Sequence, residues 1–181
     1  MIKRNLNCKK GFSLIEALVA VAILIVGILS AFILLIRTTA TIPAMQARLT
    51  AASLAQEGIE EVRALRDSDF IAGKGFKTFL NNKDCSQING GCNISADDSG
   101  IIQLIPITQE GEIPLKFDDS RDLYSYYSGS PSIFSRQIAI DSDAGHKDLL
   151  RVIATVKYSI KGTMQTVTAT DQLYNWLNPT P

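Results

Sequence analysis

The sequence has 181 residues, 46% of them hydrophobic, and a formal net charge of zero at pH 7. This length suits one membrane segment plus one domain of roughly 100–150 residues. No cluster of Lys and Arg with interleaved aromatic residues occurs, so a generally basic, nucleic-acid-binding chain is not indicated and no nucleic-acid partner is expected.

The balanced charge conceals a basic N-terminus. The first eleven residues, MIKRNLNCKKG, contain four basic residues and no acidic one, and without them the chain has 14 basic and 18 acidic side chains. Positive charges ahead of an apolar segment hold an N-terminus in the cytoplasm. The sequence therefore predicts a single pass through the inner (cytoplasmic) membrane and an extracytoplasmic remainder.

The apolar segment runs from Phe12 to Ile36, 25 residues with Glu16 as their single charge. As a helix it would span about 37 Å, enough to cross a hydrocarbon core of about 30 Å with some tilt. A buried soluble helix of this length, apolar on all sides, is the weaker interpretation. A secretory signal is also disfavoured, because its apolar core is shorter and is followed by a small-residue cleavage site.

The stretch KKGFSLIE, residues 9–16, resembles the processing site of type IV prepilins and of the pseudopilins of type II secretion and DNA-uptake machines. The resemblance implies that a membrane-embedded prepilin peptidase removes residues 1–11 by cutting after Gly11 and then N-methylates Phe12. It also implies a pilin-like α+β fold, with a long N-terminal helix packed on a C-terminal antiparallel sheet, and other pilins or pseudopilins as partners through that helix.

Glu16 has two interpretations. A carboxylate within hydrocarbon costs about 2.5–3.5 kcal/mol, so it normally has a partner or reaches the membrane edge. An acid that simply reaches the lipid headgroups is the first interpretation. The resemblance implies the second, in which Glu16 pairs with the N-terminal amine of Phe12 on a neighbouring subunit.

Two positions interrupt the helical pattern after the membrane segment begins. Gly27 weakens a helix by about 1 kcal/mol relative to Ala, and the resemblance suggests local melting there in a filament. Pro43 removes a backbone donor and disfavours helix at Ile42, which predicts a kink or a short break.

Helical periodicity resumes over residues 37–70 as an amphipathic continuation of the helix. The predicted apolar stripe recurs every three or four residues and comprises Met45, Leu49, Ala52, Ala55, Ile59 and Val62. The charged side chains of the other face, including Glu60, Arg63 and Arg66, are interpreted as solvated. The segment from Ala52 to Phe70 also resembles one found in minor pilins.

The remaining residues, 71–181, are predicted to form a β-rich globular head. Residues 71–100 are rich in turn formers and contain Cys85 and Cys92, which an oxidising compartment would join in a disulfide. Its eight-residue loop would stabilise the fold by about 2.5 kcal/mol on the chain-entropy model. Zinc is the weaker alternative, because His146 is the single histidine of the sequence.

Strand-like segments follow at residues 101–107, 113–117 and 133–140, and residues 118–131 are predicted to be a loop. The tyrosines of that loop, Tyr124, Tyr126 and Tyr127, form either an exposed contact patch or, as we prefer, a cover over the core. Alternation from Arg151 to Ile160 and a two-residue turn predict a terminal β-hairpin with Val156 opposite Val167 and Thr155 opposite Thr168. Trp176 is expected to dock the C-terminus rather than to bind a sugar or partner.

One loop carries oxygen ligands suited to calcium, contributed by Asp141, Asp143 and Asp148 around a glycine. It lacks the EF-hand pattern, and short Asp/Gly loops are usually turns. We therefore expect this loop to be a turn that binds no metal. We expect no cofactor. No catalytic motif occurs either, which disfavours a membrane-anchored enzyme.

The sequence thus favours a structural subunit, most like a minor pilin, that is first anchored in the inner membrane and then enters an extracytoplasmic filament. A pseudopilin of a type II secretion or DNA-uptake machine is the alternative. A membrane-anchored adhesin or enzyme is less favoured.

Overall fold

The computed structural model describes residues 11, 13–97, 99–107, 113–142 and 145–176. Its elements in chain order are helix α1 (Leu14–Ile71), a short 3₁₀ helix (Thr78–Leu80), and strands β1 (Cys92–Ala96), β2 (Ile102–Pro106), β3 (Pro114–Asp118), β4 (Leu123–Ser125), β5 (Ser130–Ser142), β6 (Leu149–Ile160) and β7 (Thr163–Tyr174). The expected α+β class, one long N-terminal helix and an antiparallel sheet, is confirmed. Of the predicted site residues, Phe12 and Asp143 lie outside the described residues, as does the leader.

The chain divides into two compact units, residues 1–43 and 44–181. Helix α1 contributes to both and is continuous through Gly27 and Pro43. The short break expected at Pro43 is therefore wrong, because the missing proline donor removes one hydrogen bond without stopping the helix. The kinks expected at Gly27 and Pro43 stay predictions.

In the second unit, one side of α1 packs on the sheet, and its buried residues differ in part from the predicted stripe. Met45 and Leu49 are 65% and 71% exposed, so their assignment to that stripe was wrong. Ala55, Ile59 and Val62 are buried as predicted, whereas Ala51 and Leu54 are buried in addition and Ala47 packs against the core. The buried members of this contact are Ala51, Leu54, Ala55, Gly58, Ile59 and Val62.

The seven strands form one antiparallel sheet around β5. Strand β5 pairs with β6 from Phe134 to Ser142, and its other side pairs with β3 at one end and with β1 near Ile138. Strands β2, β4 and β7 form the edges, because each pairs with one other strand. The helix and the inward side chains of β5 and β6 enclose the core.

The terminal hairpin has the predicted register, with Val156 opposite Val167 and Thr155 opposite Thr168. Its turn residues, Lys161 and Gly162, have φ angles of 50° and 78°. Positive φ at both turn positions is typical of the two-residue type I′ hairpin, whose twist matches that of the flanking strands.

Two strands lie where loops were expected. Strand β1 begins at Cys92, within the region predicted to be turn-rich, and β4 lies within the predicted loop at residues 118–131. Both are short, of 5 and 3 residues. Strands of this length carry little periodic signal of their own, and pairing of β1 with β2 and of β4 with β3 stabilises them.

The disulfide between Cys85 and Cys92 is present, with Cα atoms 5.0 Å apart. Both cysteines are buried, at 2% and 0% exposure. The backbone carbonyl of Cys85 accepts the N–H of Ile140 at 2.8 Å, so the cross-linked loop is also hydrogen-bonded to β5.

Candidate processing and assembly site

Helix α1 starts directly after Ser13. The carbonyl of Ser13 accepts the N–H of Ala17 at 3.2 Å, and Glu16 lies in the first helical turn. Ser13 and Glu16 thus have the spacing of a capping box, and an acid in this turn stabilises the helix dipole by about 0.3–1 kcal/mol. The predicted cleavage residue, Gly11, immediately precedes the helix and is exposed.

Glu16 is exposed and makes no hydrogen bond or ion pair with any described residue. Its place in the first turn lets its charge interact favourably with the positive end of the helix dipole, which the sequence interpretation had not considered. That interaction leaves the carboxylate oxygens accessible to a cation. The partner implied by the resemblance, the amine of Phe12, lies outside the described residues.

The first part of α1 is apolar on all sides and uncovered. Leu14, Ile28 and Leu34 are 79%, 67% and 65% exposed, and every described side chain from Leu14 to Thr39 is classed as exposed. The helix is long and apolar enough to span a membrane, judged by length and composition. A continuous apolar surface of this kind marks a membrane or protein contact.

Polar residues within this part bond back to their own helix. The Ser30 hydroxyl donates to the Val26 carbonyl at 2.8 Å, and the hydroxyls of Thr38, Thr39 and Thr41 donate to carbonyls three or four residues earlier. These groups are satisfied within the helix itself. They therefore do not interrupt the apolar surface with unpaired donors.

The second part of α1 is anchored by Arg136, whose side chain is completely buried. Its Nη1 donates to the Leu54 carbonyl of α1 at 3.1 Å, and its Nη2 donates to the Ile94 carbonyl of β1 at 2.6 Å. One guanidinium on β5 thereby connects the helix with another strand. Its Nε has no partner among the described residues.

Two glutamates of α1 complete this cluster. Glu61 accepts from Arg136 Nη2 at 2.8 Å, and the nearest oxygen of Glu57 lies 3.4 Å from Nη1. Burial raises the pKa of Glu61 to about 7, although the charge of Arg136 opposes the rise. Desolvation of the carboxylate therefore outweighs its attraction to the guanidinium.

Close packing at Gly58 and a hydrogen bond from Tyr126 hold Arg136 in position. A Cβ added at Gly58 would lie 2.6 Å from Ile138 Cδ1 and 3.1 Å from Arg136 Cδ, so glycine lets the strand approach the helix. The Tyr126 hydroxyl donates to the Arg136 carbonyl at 2.6 Å. Burial raises the pKa of Tyr126 to about 12.

The sequence interpretation missed this cluster, although a signal was present. Arg136 has the same alternation phase as Phe134, Ile138 and Ile140, which are all buried. A lone cation in the inward phase of an apolar strand indicates a buried carboxylate partner. The interpretation of Arg66 as solvated was wrong, since it is 8% exposed.

The calcium candidates have protein partners. Asp141 accepts the N–H of Gln87 at 3.1 Å, and Asp148 accepts the side-chain amide of Asn175 at 2.7 Å. No group of three or more metal-ligating side chains occurs among the described residues. The expectation that this loop is a turn rather than a calcium site stays a prediction.

The aromatic residues of the head mostly pack inward. Tyr124 contacts the rings of Phe117 and Phe134, with centroids 4.8 and 5.7 Å apart. Tyr127 is 37% exposed. Trp176 meets Phe70 edge-on at 5.7 Å while 63% exposed, so it docks against the end of α1 by one edge.

The N-terminal segment matches the family model of the prokaryotic N-terminal methylation motif over residues 6–32. Comparisons with curated proteins and with solved structures found no match. The matched motif is the signature of type IV prepilins and pseudopilins; it is structural rather than enzymatic, and it implies processing by a prepilin peptidase and assembly with other pilins. The chain thus carries the N-terminal signature of type IV prepilins and pseudopilins at the start of a long helix that is followed by an antiparallel sheet.

Proposed function

We propose that this chain is a minor pilin-like subunit of a type IV pilus or a related filament. It is cut after Gly11, methylated at Phe12, held in the inner membrane by residues 12–36 with its head outside the cytoplasm, and then moved into the filament. The observation that carries the proposal is the juxtaposition of the methylation motif with a helix whose apolar side chains are uncovered on every side.

Transfer from membrane to filament is physically coherent for such a helix. In lipid the apolar side chains are solvated by acyl chains, and in a helical bundle they pack on one another, so neither state exposes them to water. The carboxylate of Glu16 supports the second state. This carboxylate pairs with no described residue. The cut after Gly11 creates an N-terminal amine on a neighbouring subunit that can form an ion pair with it.

Co-expression with a prepilin peptidase tests the processing step. We expect the mature chain to begin with methylated Phe12, determined by mass spectrometry of the N-terminal peptide. Replacement Gly11→Leu should leave the leader attached, because a large side chain occupies the cleavage position. Replacement Gly27→Leu is the matched control, since a Cβ at either glycine meets no described atom within 4 Å. An intact Met1 terminus in the unsubstituted chain would refute the proposal.

A pseudopilin carries the same signature and is the second candidate. The two assignments differ in where the mature protein accumulates. A pilus subunit is recovered with long filaments sheared from the cell surface, whereas a secretion pseudopilin stays with the envelope and its deletion blocks export of a secreted protein. Fractionation of a strain that expresses the tagged chain distinguishes them.

A further inference from the structure

Strand β7 is a long sheet edge with no strand on its outer side. It pairs with β6 over its full length of 12 residues, from Leu149↔Tyr174 to Ile160↔Thr163, with no register shift. The other two edges are shorter, since β2 has 5 residues and β4 has 3. Strand β7 is therefore the longest free edge among the described strands.

Alternation decides which backbone groups of β7 point outward. In a two-residue hairpin the residues that flank the turn, Ile160 and Thr163, exchange hydrogen bonds, and every second pair repeats this pattern. The N–H of Asn175 donates to the Asp148 carbonyl at 2.9 Å, which continues the same phase past the strand end. The outward N–H and C=O groups thus belong to Met164, Thr166, Thr168, Thr170, Gln172 and Tyr174, and no described residue bonds them.

This edge lacks the features by which proteins block strand addition. It contains no Lys, no Pro and no bulge, all of which protect natural edges. Its single charged residue, Asp171, is paired with Arg63 at 2.7 Å. Four threonines and one valine give it strong β propensity. Nothing in β7 itself therefore prevents another strand from pairing with this edge.

On the helix side, the space beside β7 is an acidic groove. It is lined by Gln56, Glu57, Glu60, Arg63 and Asp171 among others. The side chains of Glu57 and Glu60 are 46% and 63% exposed. Arg63 pairs with Glu60 at 2.6 Å and with Asp171 at 2.7 Å, so one guanidinium is shared by two of the three carboxylates and the lining keeps an excess of negative charge. A side chain that enters the groove from an added strand therefore meets a negative potential.

We propose that β7 accepts an extended segment of a different protein chain, which adds to the sheet as an eighth strand and places basic side chains in the acidic groove. Backbone hydrogen bonds to the six outward residues supply affinity, and the groove supplies the preference for Lys or Arg. This inference goes beyond the proposed function and does not depend on N-terminal processing.

Charge distinguishes this occupant from a second copy of the chain. Pairing β7 with another β7 would bring two acidic grooves side by side, because both lie on the helix face of the joined sheet. Like charges so placed repel, and nothing in β7 offers a compensating cation. A strand with Lys on its helix-facing side has no such conflict.

The test uses the full-length protein in detergent micelles and a fluorescent eleven-residue peptide of Thr and Val with Lys at every fourth position. Two control peptides replace Lys with Glu, or methylate the backbone nitrogens on one edge. We expect anisotropy to show saturable binding of the Lys peptide and at least tenfold weaker binding of both controls. Hydrogen exchange should show new protection at the amides of Thr166, Thr168 and Thr170, while those of Val167 and Ala169 are protected already.

Variants of the protein complete the test. Thr168→Pro removes an outward N–H and no hydrogen bond to β6, so it should weaken binding at least tenfold, whereas Thr168→Ala keeps the N–H and should change it less than threefold. Glu60→Lys should reverse the preference between the Lys and Glu peptides. Should Thr168→Pro fail to fold, the methylated peptide tests the same hydrogen bonds.

Three results would overturn the inference. One is equal binding of the Lys and methylated peptides, another is no binding of any peptide. The third is self-association, measured by sedimentation, that Thr168→Pro abolishes, because the occupant would then be a second copy. Normal removal of residues 1–11 alongside any of these would leave the proposed function intact.

Discussion

Helix α1 has two parts that differ in what surrounds them, although the backbone is continuous. From Leu14 to Pro43 the apolar side chains that the structure describes are uncovered, as at Ile23, which is 67% exposed. In the second unit, Leu54 and Val62 are 2% and 0% exposed because the sheet covers them. Apolar residues therefore serve intermolecular contact in one part and the protein's own core in the other.

The comparison also separates the two kinds of charged residue in the helix. Glu16 has no partner among the described residues, whereas Glu61 is held by a buried guanidinium. An unpaired acid in the first part can matter in assembly without affecting the stability of the head. A buried acid in the second part must affect the head directly.

The largest effect is expected at Glu16. Replacement Glu16→Ala should leave membrane insertion intact and reduce recovery in sheared filaments at least tenfold, because the N-terminal amine of a neighbour loses its partner. Immunoblotting of membrane and shear fractions measures both steps. Glu60→Ala removes an exposed acid from the second part and serves as the control. Wild-type recovery of the Glu16 variant would contradict the pairing role.

Among the substitutions in the head, Arg136→Met should lower the free energy of unfolding the most. It leaves Glu61 and two backbone carbonyls without their donor, and breaking a buried pair costs about 3–5 kcal/mol. Urea unfolding of the full chain in detergent at pH 8, followed by Trp176 fluorescence, measures the loss. Arg37→Met, an exposed arginine of the first part, should change the free energy of unfolding by less than about 0.5 kcal/mol. Equal effects of the two substitutions would contradict the view that the buried arginine, and not the exposed one, stabilises the head.

A glycine pair sharpens the same contrast. Gly58→Leu forces a side chain against Ile138 and Arg136, where a Cβ already approaches to 2.6 Å, and overpacking costs about 1–3 kcal/mol. Gly27→Leu meets nothing within 4 Å and should leave head unfolding unchanged. The urea midpoints of the two variants report the difference. A normal midpoint for Gly58→Leu would show that β5 can move away from the helix.

The last effect is a pH dependence. The folded-state pKa of Glu61, about 7, lies above its ordinary value of 4.5, so the folded protein binds this proton more tightly than the unfolded chain. The free energy of unfolding should therefore decrease as the pH rises from about 4.5 to about 7, and this group should contribute up to about 3 kcal/mol of that decrease. Glu61→Gln should remove that part of the slope. An unchanged slope in the variant would assign the pH dependence to other groups.

Local patterns predicted much of this architecture. The membrane-length helix, the disulfide and the register of the terminal hairpin each depend on residues near one another in sequence, and each is observed. The face of α1 that is buried was predicted less well. Met45 and Leu49 fit the apolar period, but Ala47 and Ala51 pack on the core instead, and no local pattern reports which side of the helix a distant sheet will cover.

The sequence by itself determined the processing motif, the long apolar helix and the fold class, because each follows from neighbours along the chain. Tertiary structure alone decided that Arg136 is buried against Glu61, that Gly58 admits β5, and that β7 is left without a partner. These features join residues 75 or more positions apart, or depend on which strand has no neighbour. Long-range pairing creates them, and it leaves little periodic trace in the local sequence.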